Sequence, residues 1–269
     1  TGRLADEAME RVFATLDDYR RAIDAHGAGP NIAVLTSAVR DAANGPEFTR
    51  RVRERYDLDA HTIPGEQEAR LTFMGATSER DDQARDGDPL VVIDVGGGST
   101  EFIVGSGRDV AFHVSTQAGV VRQSERHIAS DPPRPEELEE LAADARRIIA
   151  AGVPAGVREG VTHAIAVAGT ATSLGAIDLE LDPYDPERVH GHRVSIERAE
   201  ELLHRLAAMT DDERRHVTGL HPDRAPTIVA GAVLLIEALR AFELGAFEVS
   251  EHDILRGAAL QLASVSRSD

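Results

Sequence analysis

The sequence predicts an α/β protein, in which buried strands alternate with amphipathic helices. Short apolar runs rich in β-branched residues, such as Leu90 to Ile93, recur along the chain and are typical of buried strands. Stretches with helical spacing of apolar residues separate them, as in Leu4 to Ala25. No repeat of about 20 to 50 residues is visible, so a solenoid is not indicated.

Composition restricts the class of partner. The 269 residues include 29 basic and 47 acidic side chains, which gives a net charge of −18. This charge argues against nonspecific binding of nucleic acid or of an anionic membrane surface. No apolar run is long enough to span a bilayer, no signal peptide is visible and Cys is absent, so we expect a cytoplasmic protein. If a polyanion binds, local donors and a metal ion must supply the affinity.

The first part of the chain alternates helices and strands. The pattern predicts, in order, a helix over Leu4 to Ala25, a strand over Asn31 to Leu35, a helix starting at Ala38, a helix over Gly45 to Tyr56, a strand over His61 to Ile63 and a helix from Glu66 towards Ser78. Arg40 follows the end of the first strand, which is where open α/β sheets place ligands. The alternative is a cation on the surface of a helix.

Two acidic residues, Glu66 and Glu68, lie in the first turn of the last of these helices. Acidic residues at this position often do no more than complement the helix dipole. Because they are two positions apart, their side chains point in different directions. One of them can therefore face a cleft while the other is solvated.

The most informative stretch is the strand, glycine loop and strand between Leu90 and Val104. Asp94 ends the first strand, Gly96, Gly97 and Gly98 follow, and Ser99 and Thr100 add hydroxyl groups. Three consecutive glycines lose much conformational entropy on folding, but they let backbone N–H groups approach a phosphate closely. A divalent cation would bridge that phosphate to Asp94. The alternative is an ordinary hairpin with a glycine-rich turn.

The second part continues the alternation. The pattern predicts a strand over Val110 to Ser115, a helix to about Ile128, a helix over Pro135 to Ala151, a strand over Thr162 to Ala168, a helix opened by Gly169 and Thr170, helices over Ser195 to Met209 and Ala225 to Phe242, a strand over Phe247 to Ser250 and a helix over Ile254 to Val265. Gly169 and Thr170 suit an anion at a helix N-terminus, although such a pair is also a good helix cap.

The domain boundary is expected between Ala76 and Gly87, which gives domains of residues 1–76 and 77–269. Residues 80–88 are rich in Asp and Arg and predict a solvated connection. A metal site at His190 and His192 would need a third ligand, and no residue has obvious spacing for that role.

Six motifs, in this order along nearly the whole chain, resemble the exopolyphosphatase and guanosine pentaphosphate phosphohydrolase family, Ppx/GppA. They are Thr36–Ala42, Gly65–Leu71, Ile93–Glu101, Ala168–Ala171, Ala230–Ala232 and Ser250–Gly257. The resemblance implies the actin-like ATPase (ribonuclease H-like) fold of two domains around a cleft. It also implies release of terminal phosphate from polyphosphate, guanosine pentaphosphate or both.

The resemblance assigns roles to residues. Glu68 takes the catalytic position and would activate the attacking water. Asp94, with Glu101 as a less certain partner, would hold Mg²⁺ or Mn²⁺. The phosphate chain would contact Arg40, Gly96, Gly97, Gly98, Ser99, Gly169 and Thr170.

Family members open with a strand that bears an Asp-x-Gly-Ser-Asn-type phosphate loop, and the residues from Thr1 onward show no such motif. We therefore expect the first domain to lack its opening strands. No C-terminal helical domain is visible, so the chain resembles the short, two-domain branch. Two other functions stay open from the sequence: an actin-like ATPase or sugar kinase, and a noncatalytic module that binds polyphosphate or the alarmone. The apolar helix over Ala225 to Phe242 would suit a homodimer as well as a core.

Overall fold

The structure is a computed structural model that describes residues 2–80 and 88–265. Most of the predicted connection at residues 80–88 lies outside the described residues. The first part of the chain forms helix α1 (Asp6–His26), strand β1 (Ala33–Leu35), helix α2 (Ser37–Arg40), helix α3 (Gly45–Tyr56), strand β2 (Ala60–Thr62) and helix α4 (Gly65–Ala76). The predicted helix after the first strand is thus a single turn that ends at Arg40.

The second part forms strands β3 (Leu90–Val95), β4 (Thr100–Ser106) and β5 (Asp109–Thr116), helices α5 (Val120–His127), α6 (Pro135–Gly152) and α7 (Ala155–Arg158), strand β6 (His163–Val167), helices α8 (Ala168–Asp178) and α9 (Pro186–Val189), strand β7 (Arg193–Ser195), helices α10 (Ile196–Ala207) and α11 (Asp211–Arg214), a 3₁₀ turn (Pro222–Arg224), helix α12 (Ile228–Ala241), strand β8 (Ala246–Val249) and helix α13 (Ile254–Val265). Among the described residues, no helix combines the length and apolar character needed to cross a bilayer.

These strands form two sheets. A six-stranded sheet has the order β5-β4-β3-β6-β8-β7, whereas β1 and β2 pair in parallel as a separate two-stranded sheet. In the large sheet β3, β4 and β5 form an antiparallel meander, and β6 and β8 continue from β3 in parallel. The alternation of strands and helices therefore gives an α/β fold, as the sequence predicts.

Strand β3 is the centre of the large sheet, because helices cover both of its faces. Val91 and Ile93 face the main core together with α6 and α12, and both are fully buried. Leu90 and Val92 point to the opposite face, where Phe73 of α4 packs on them. This alternation explains why β3 reads as a continuous apolar run in the sequence.

Helices α4 and α13 cross at the distance of backbone contact. A Cβ at Gly75 would lie 1.9 Å from the carbonyl oxygen of Asp253, and a Cβ at Gly257 would lie 1.9 Å from that of Leu71. Both glycines are therefore required by packing. Because of this crossing, Ala258 of the C-terminal helix shares a small core with Leu71 and with Ile63, next to β2. The domain boundary at residues 76 and 77 stays a prediction, and this crossing is a contact across it.

The short helices α7, α9 and α11 are not among the expected elements, and two further details differ. The long apolar helix begins at Ile228 instead of Ala225, because a 3₁₀ turn occupies Pro222–Arg224 and Pro226 follows it. The edge strand Arg193–Ser195 was not predicted, since only Val194 in it is buried and three residues show no clear periodicity.

Candidate active site

The predicted catalytic residues meet in a cavity of about 50 Å³ between α4 and the β3-β4-β5 meander, which we call the cleft. The first part of the chain contributes Arg40, Gly65, Glu68, Ala69 and Thr72, and the meander contributes Asp94, Glu101, Ile103, His113, Val114 and Ser115. The cleft therefore collects side chains from the parts of the chain before and after the expected boundary.

Glu68 and Arg40 form an ion pair on one wall of the cleft. Arg40 Nη1 lies 3.1 Å from Glu68 Oε2 and also donates a hydrogen bond of 2.9 Å to the carbonyl oxygen of Ile63. The side chain of Glu68 is only 19% exposed. Glu66 instead lies in a separate surface groove with Arg70, so the two glutamates point apart as the helical spacing predicts.

Asp94 lies opposite this wall, on β3, directly across the strand pair from Glu101. Burial is the largest cause that raises the pKa of the Asp94 carboxyl to about 7. Three neighbouring carboxylates raise this pKa further: Glu101, Asp253 and Glu68. Several negative charges are thus concentrated in a poorly hydrated place.

This donor set fits a divalent cation. Carboxylate oxygens are the ligands that Mg²⁺ and Mn²⁺ prefer, and a cation would relieve the repulsion that raises the pKa of Asp94. Glu101 is held in place for such a role, because its Oε1 accepts hydrogen bonds from Ser99 Oγ (2.6 Å) and Ser115 Oγ (2.7 Å). Asp94 and Glu101 are therefore the residues that would hold the ion.

The glycine loop between β3 and β4 turns its carbonyl groups away from the cleft and toward α5. The carbonyl oxygens of Gly96 and Gly97 accept from the backbone N–H groups of Val120 and Val121, at 2.9 and 3.0 Å. Within residues 2–80 and 88–265, the N–H groups of Gly97 and Gly98 have no hydrogen-bond acceptor. Two adjacent free N–H groups are suited to binding an anion.

Packing does not require glycine at the tip of this loop. A Cβ at Gly98 would meet no protein atom within 4 Å, and a Cβ at Gly97 would make only an ordinary contact with Val121. Neither residue adopts the left-handed backbone conformation that favours glycine. The missing side chains therefore leave room beside the loop, which favours a ligand over a purely structural turn.

The second predicted turn, at the start of α8, follows β6 directly. A Cβ at Gly169 would lie 2.3 Å from Cζ of Arg224, so the absence of a side chain lets this guanidinium lie against the turn. Thr170 is buried, and its hydroxyl faces Gly231 of α12. Thr170 can therefore contact a phosphate only through its backbone N–H.

A larger cavity of about 990 Å³ joins the two turns, since Gly97 and Gly169 both line it. Asp182 and Tyr184 line it, and so do five charged or titratable side chains that the sequence did not single out: Arg215, His216, His221, Asp223 and Arg224. They lie in the irregular segment before α12, where no motif marks them. Only the topology brings this segment next to the glycine loop.

The two histidines that alternate before β7 do not form a site together. Nε2 of His192 lies 2.7 Å from Asp178, whereas Nε2 of His190 lies 3.4 Å from Glu79. They belong to different clusters, so they do not share the metal site that their spacing suggested.

The fold, the glycine loop and the group of carboxylates in the cleft are together typical of an α/β enzyme that acts on phosphate groups. The profile of the Ppx/GppA phosphatase family matches residues 1–263, and the chain belongs to this family.

Curated relatives agree with this assignment. Exopolyphosphatase 2 of Mycobacterium tuberculosis (strain H37Rv) is 36% identical over 276 residues, which cover 98% of this chain and 84% of the relative. The bifunctional 3-dehydroquinate synthase/phosphatase of Fusobacterium nucleatum is 29% identical, over 96% of this chain and 39% of the relative.

Solved structures confirm the fold that the family resemblance implied. An exopolyphosphatase-like protein superposes with a TM-score of 0.85 at 34% identity, over 97% of this chain and 84% of that one. The Ppx/GppA family member of Aquifex aeolicus gives a TM-score of 0.83 at 28% identity, over 100% of this chain and 85% of that one. The protein is therefore an enzyme of the phosphoanhydride hydrolase type.

Proposed function

We propose that the protein releases the terminal phosphate of inorganic polyphosphate by attack of a water molecule. The observation that carries this proposal is the cleft itself, where Glu68 faces Asp94 beside a loop with two free N–H groups. Hydrolysis of a phosphoanhydride needs an oriented water, neutralisation of charge on the transferred phosphoryl group and little else. The cleft has a candidate for each of these tasks.

In this mechanism Glu68 is the general base. A base must lie within hydrogen-bond reach of the attacking water, and Glu68 projects from the first turn of α4 into the cleft. Arg40 fixes one of its carboxylate oxygens, which orients the side chain. The proton of the water passes to Glu68 as the new P–O bond forms. The bridging P–O bond of the phosphoanhydride breaks, and the shortened polyphosphate leaves with the bridging oxygen and its electron pair.

The glycine loop binds the charged phosphoryl group. The N–H groups of Gly97 and Gly98 bind its oxygens, and Ser99 keeps Glu101 in position. A Mg²⁺ or Mn²⁺ ion at Asp94 and Glu101 would supply positive charge next to the scissile bond. Its presence is expected, because the protein carries a net charge of −18 and its field repels a polyanion.

The rest of the substrate would extend away from the cleft into the larger cavity. Gly169 and the backbone N–H of Thr170 lie on this path, and Arg224 lies against Gly169. A guanidinium and a helix N-terminus are both suited to successive phosphate groups. This path supports a chain of phosphates as the substrate.

Guanosine pentaphosphate is a second candidate substrate, because its terminal phosphoanhydride is the same and the cavity of about 990 Å³ has room for a nucleoside. If the protein were an actin-like ATPase or sugar kinase, the position of Glu68 in the cleft would have no explanation. A noncatalytic binding module would not explain it either.

Release of phosphate from polyphosphate, guanosine pentaphosphate and ATP, measured side by side with the same purified protein and Mg²⁺, tests the proposal. We expect the highest kcat/KM for polyphosphate. Turnover of ATP alone would contradict the proposal and favour the ATPase reading.

A further inference from the structure

A cluster of four side chains lies outside the cleft, and we call it the junction cluster: Glu79, His190, His252 and Arg256. The carboxylate of Glu79 is its centre. Oε2 of Glu79 lies 3.4 Å from His190 Nε2, and Oε1 lies 3.8 Å from His252 Nδ1 and 3.5 Å from Arg256 Nη2. The two imidazole rings pack on each other with centroids 4.3 Å apart.

The position of the junction cluster in the chain is informative. Glu79 follows α4, on the segment that leads toward the large sheet, and His252 lies between β8 and α13, on the segment that leads back to α4. His190 belongs to the large sheet's side, just before β7. Both connections between the helix that carries Glu68 and the sheet that carries Asp94 therefore meet at one carboxylate.

The hydrogen bonds in the junction cluster favour a proton over a metal ion. The ligand atoms of Glu79, His190 and His252 lie within 4.8 Å of one another, as in a metal site. However, Nδ1 of His190 accepts the backbone N–H of Glu251 at 3.2 Å. In a neutral imidazole the other nitrogen then carries the proton, so Nε2 offers Glu79 an N–H and no lone pair. Arg256 also occupies the side of Glu79 that a cation would need.

His252 is the member whose charge can change. Its Nδ1 is buried and has no hydrogen-bond partner among the described residues. Burial, then the nearby His190 and Arg256, lower the pKa of His252 below its ordinary value, while Glu79 and Glu251 oppose this shift only in part. Tyr184 donates a hydrogen bond to the same Glu251. In this arrangement His252 therefore binds a proton less tightly than a histidine in water does.

We propose that the junction cluster is a pH-dependent contact between the two connecting segments. It holds the segments together while His252 is neutral and releases them when His252 is protonated. By linkage, acid favours whichever arrangement binds the proton more tightly, and here that is the released one, in which His252 is hydrated. As the pH decreases below the ordinary histidine pKa of about 6.5, each pH unit lowers the ratio of the held to the released arrangement by at most about tenfold. Release would change the position of Glu68 relative to Asp94.

The protein has no cysteine, so two nitroxide labels on introduced cysteines can measure this movement without any assay of hydrolysis. Tyr19 on α1 and Glu140 on α6 are both exposed; α1 belongs to the part of the chain before the junction, and α6 belongs to the part that forms the large sheet. Their separation is measured by pulsed electron paramagnetic resonance at about pH 8 and about pH 5.5, on either side of the histidine pKa. We expect one distance population at the higher pH and a second, wider population in acid.

Three variants of the labelled protein complete the test. His252→Asn keeps a polar group near Nδ1 that cannot titrate, and it should show the high-pH distance at both pH values. Glu79→Gln removes the carboxylate at the centre of the junction cluster and should show the wider distance population already at the higher pH. This variant also tests the proposal if His252→Asn fails to fold. His61→Asn removes a histidine beside Asp59 on the surface and should behave as the parent.

An identical distance distribution at both pH values in the parent would overturn the proposal, and so would an acid response that persists in His252→Asn. Stoichiometric binding of Zn²⁺ by calorimetry, lost in His252→Asn, would also overturn it and assign the cluster to a metal.

Discussion

Glu68 and Asp94 come from different elements, helix α4 and strand β3, yet they line the same small cleft and their charges interact. Neither residue holds the other by a hydrogen bond. The fold keeps both carboxylates close because α4 packs on the face of β3 that Leu90 and Val92 form. In the proposed hydrolysis Glu68 would activate the attacking water, and Asp94 would hold a divalent cation.

The raised pKa of Asp94 predicts an effect on stability. Because its pKa in the fold is about 7 against an ordinary 3.8, the folded protein binds more protons than the unfolded chain between these values. Stability is therefore lost as pH rises through this window. Without metal, Asp94→Asn should be more stable than the parent by up to roughly 4 kcal/mol above pH 7 and by little near pH 4. Thermal melts in chelator across this range measure the difference, and a destabilised Asp94→Asn at high pH would contradict it.

Protons and Mg²⁺ should compete for Asp94. A cation binds the carboxylate and not the carboxylic acid, so the Mg²⁺ concentration for half-maximal activity should rise by about tenfold per pH unit below about pH 7. Titrations of activity with Mg²⁺ at several pH values measure this shift. Excess chelator should abolish turnover. Full activity in chelator would show that no divalent cation is needed.

Gly98 should be dispensable for folding but not for substrate binding. A Cβ there meets no protein atom within 4 Å, so Gly98→Ala should unfold like the parent. The added methyl would displace the phosphate from the loop, and KM for polyphosphate should rise by at least roughly tenfold. Gly156→Ala is the matched control, because a Cβ there is equally free and Gly156 lies far from the loop in the sequence. Equal KM values for both variants would mean that the loop does not bind phosphate.

Arg224 should bind the part of the substrate beyond the scissile bond. Loss of one charge-assisted hydrogen bond predicts a rise in KM of roughly tenfold or more for Arg224→Gln on long polyphosphate. Tripolyphosphate is too short to reach far into the larger cavity and should respond less. Arg188→Gln, an exposed arginine that does not line this cavity, serves as the control. An equal effect on short and long substrates would argue against the proposed path.

The sequence predicted the parts of the site that local chemistry determines. The run from Leu90 to Ser99 predicted a buried strand, a carboxylate and a glycine loop, and the structure places Asp94 in the same cleft as Glu68. The helical spacing separated Glu68 from Glu66. In each case the decisive constraint acts within about ten residues, where periodicity and turn chemistry are visible.

The parts that were missed depend on contacts between distant segments. Arg224 contacts Gly169, which lies 55 positions earlier in the chain, and nothing in the intervening sequence indicates this contact. The pairing of His190 with His252 is equally remote, and the closer neighbour His192 turns to Asp178 instead. The hydroxyl of Thr170 faces the core because α8 packs on α12 there, which a local motif cannot show.

The role of Glu68 is tested most directly by the turnover of Glu68→Gln, which keeps the shape of the side chain and removes the base. Its control is Glu66→Gln, since Glu66 lies in the same helical turn but points into a separate groove. If Glu68 is the general base, kcat on polyphosphate should fall by roughly two to four orders of magnitude. Substrate binding should persist, and Glu66→Gln should retain nearly full activity. Normal turnover in Glu68→Gln, or loss of turnover in Glu66→Gln alone, would contradict the assignment.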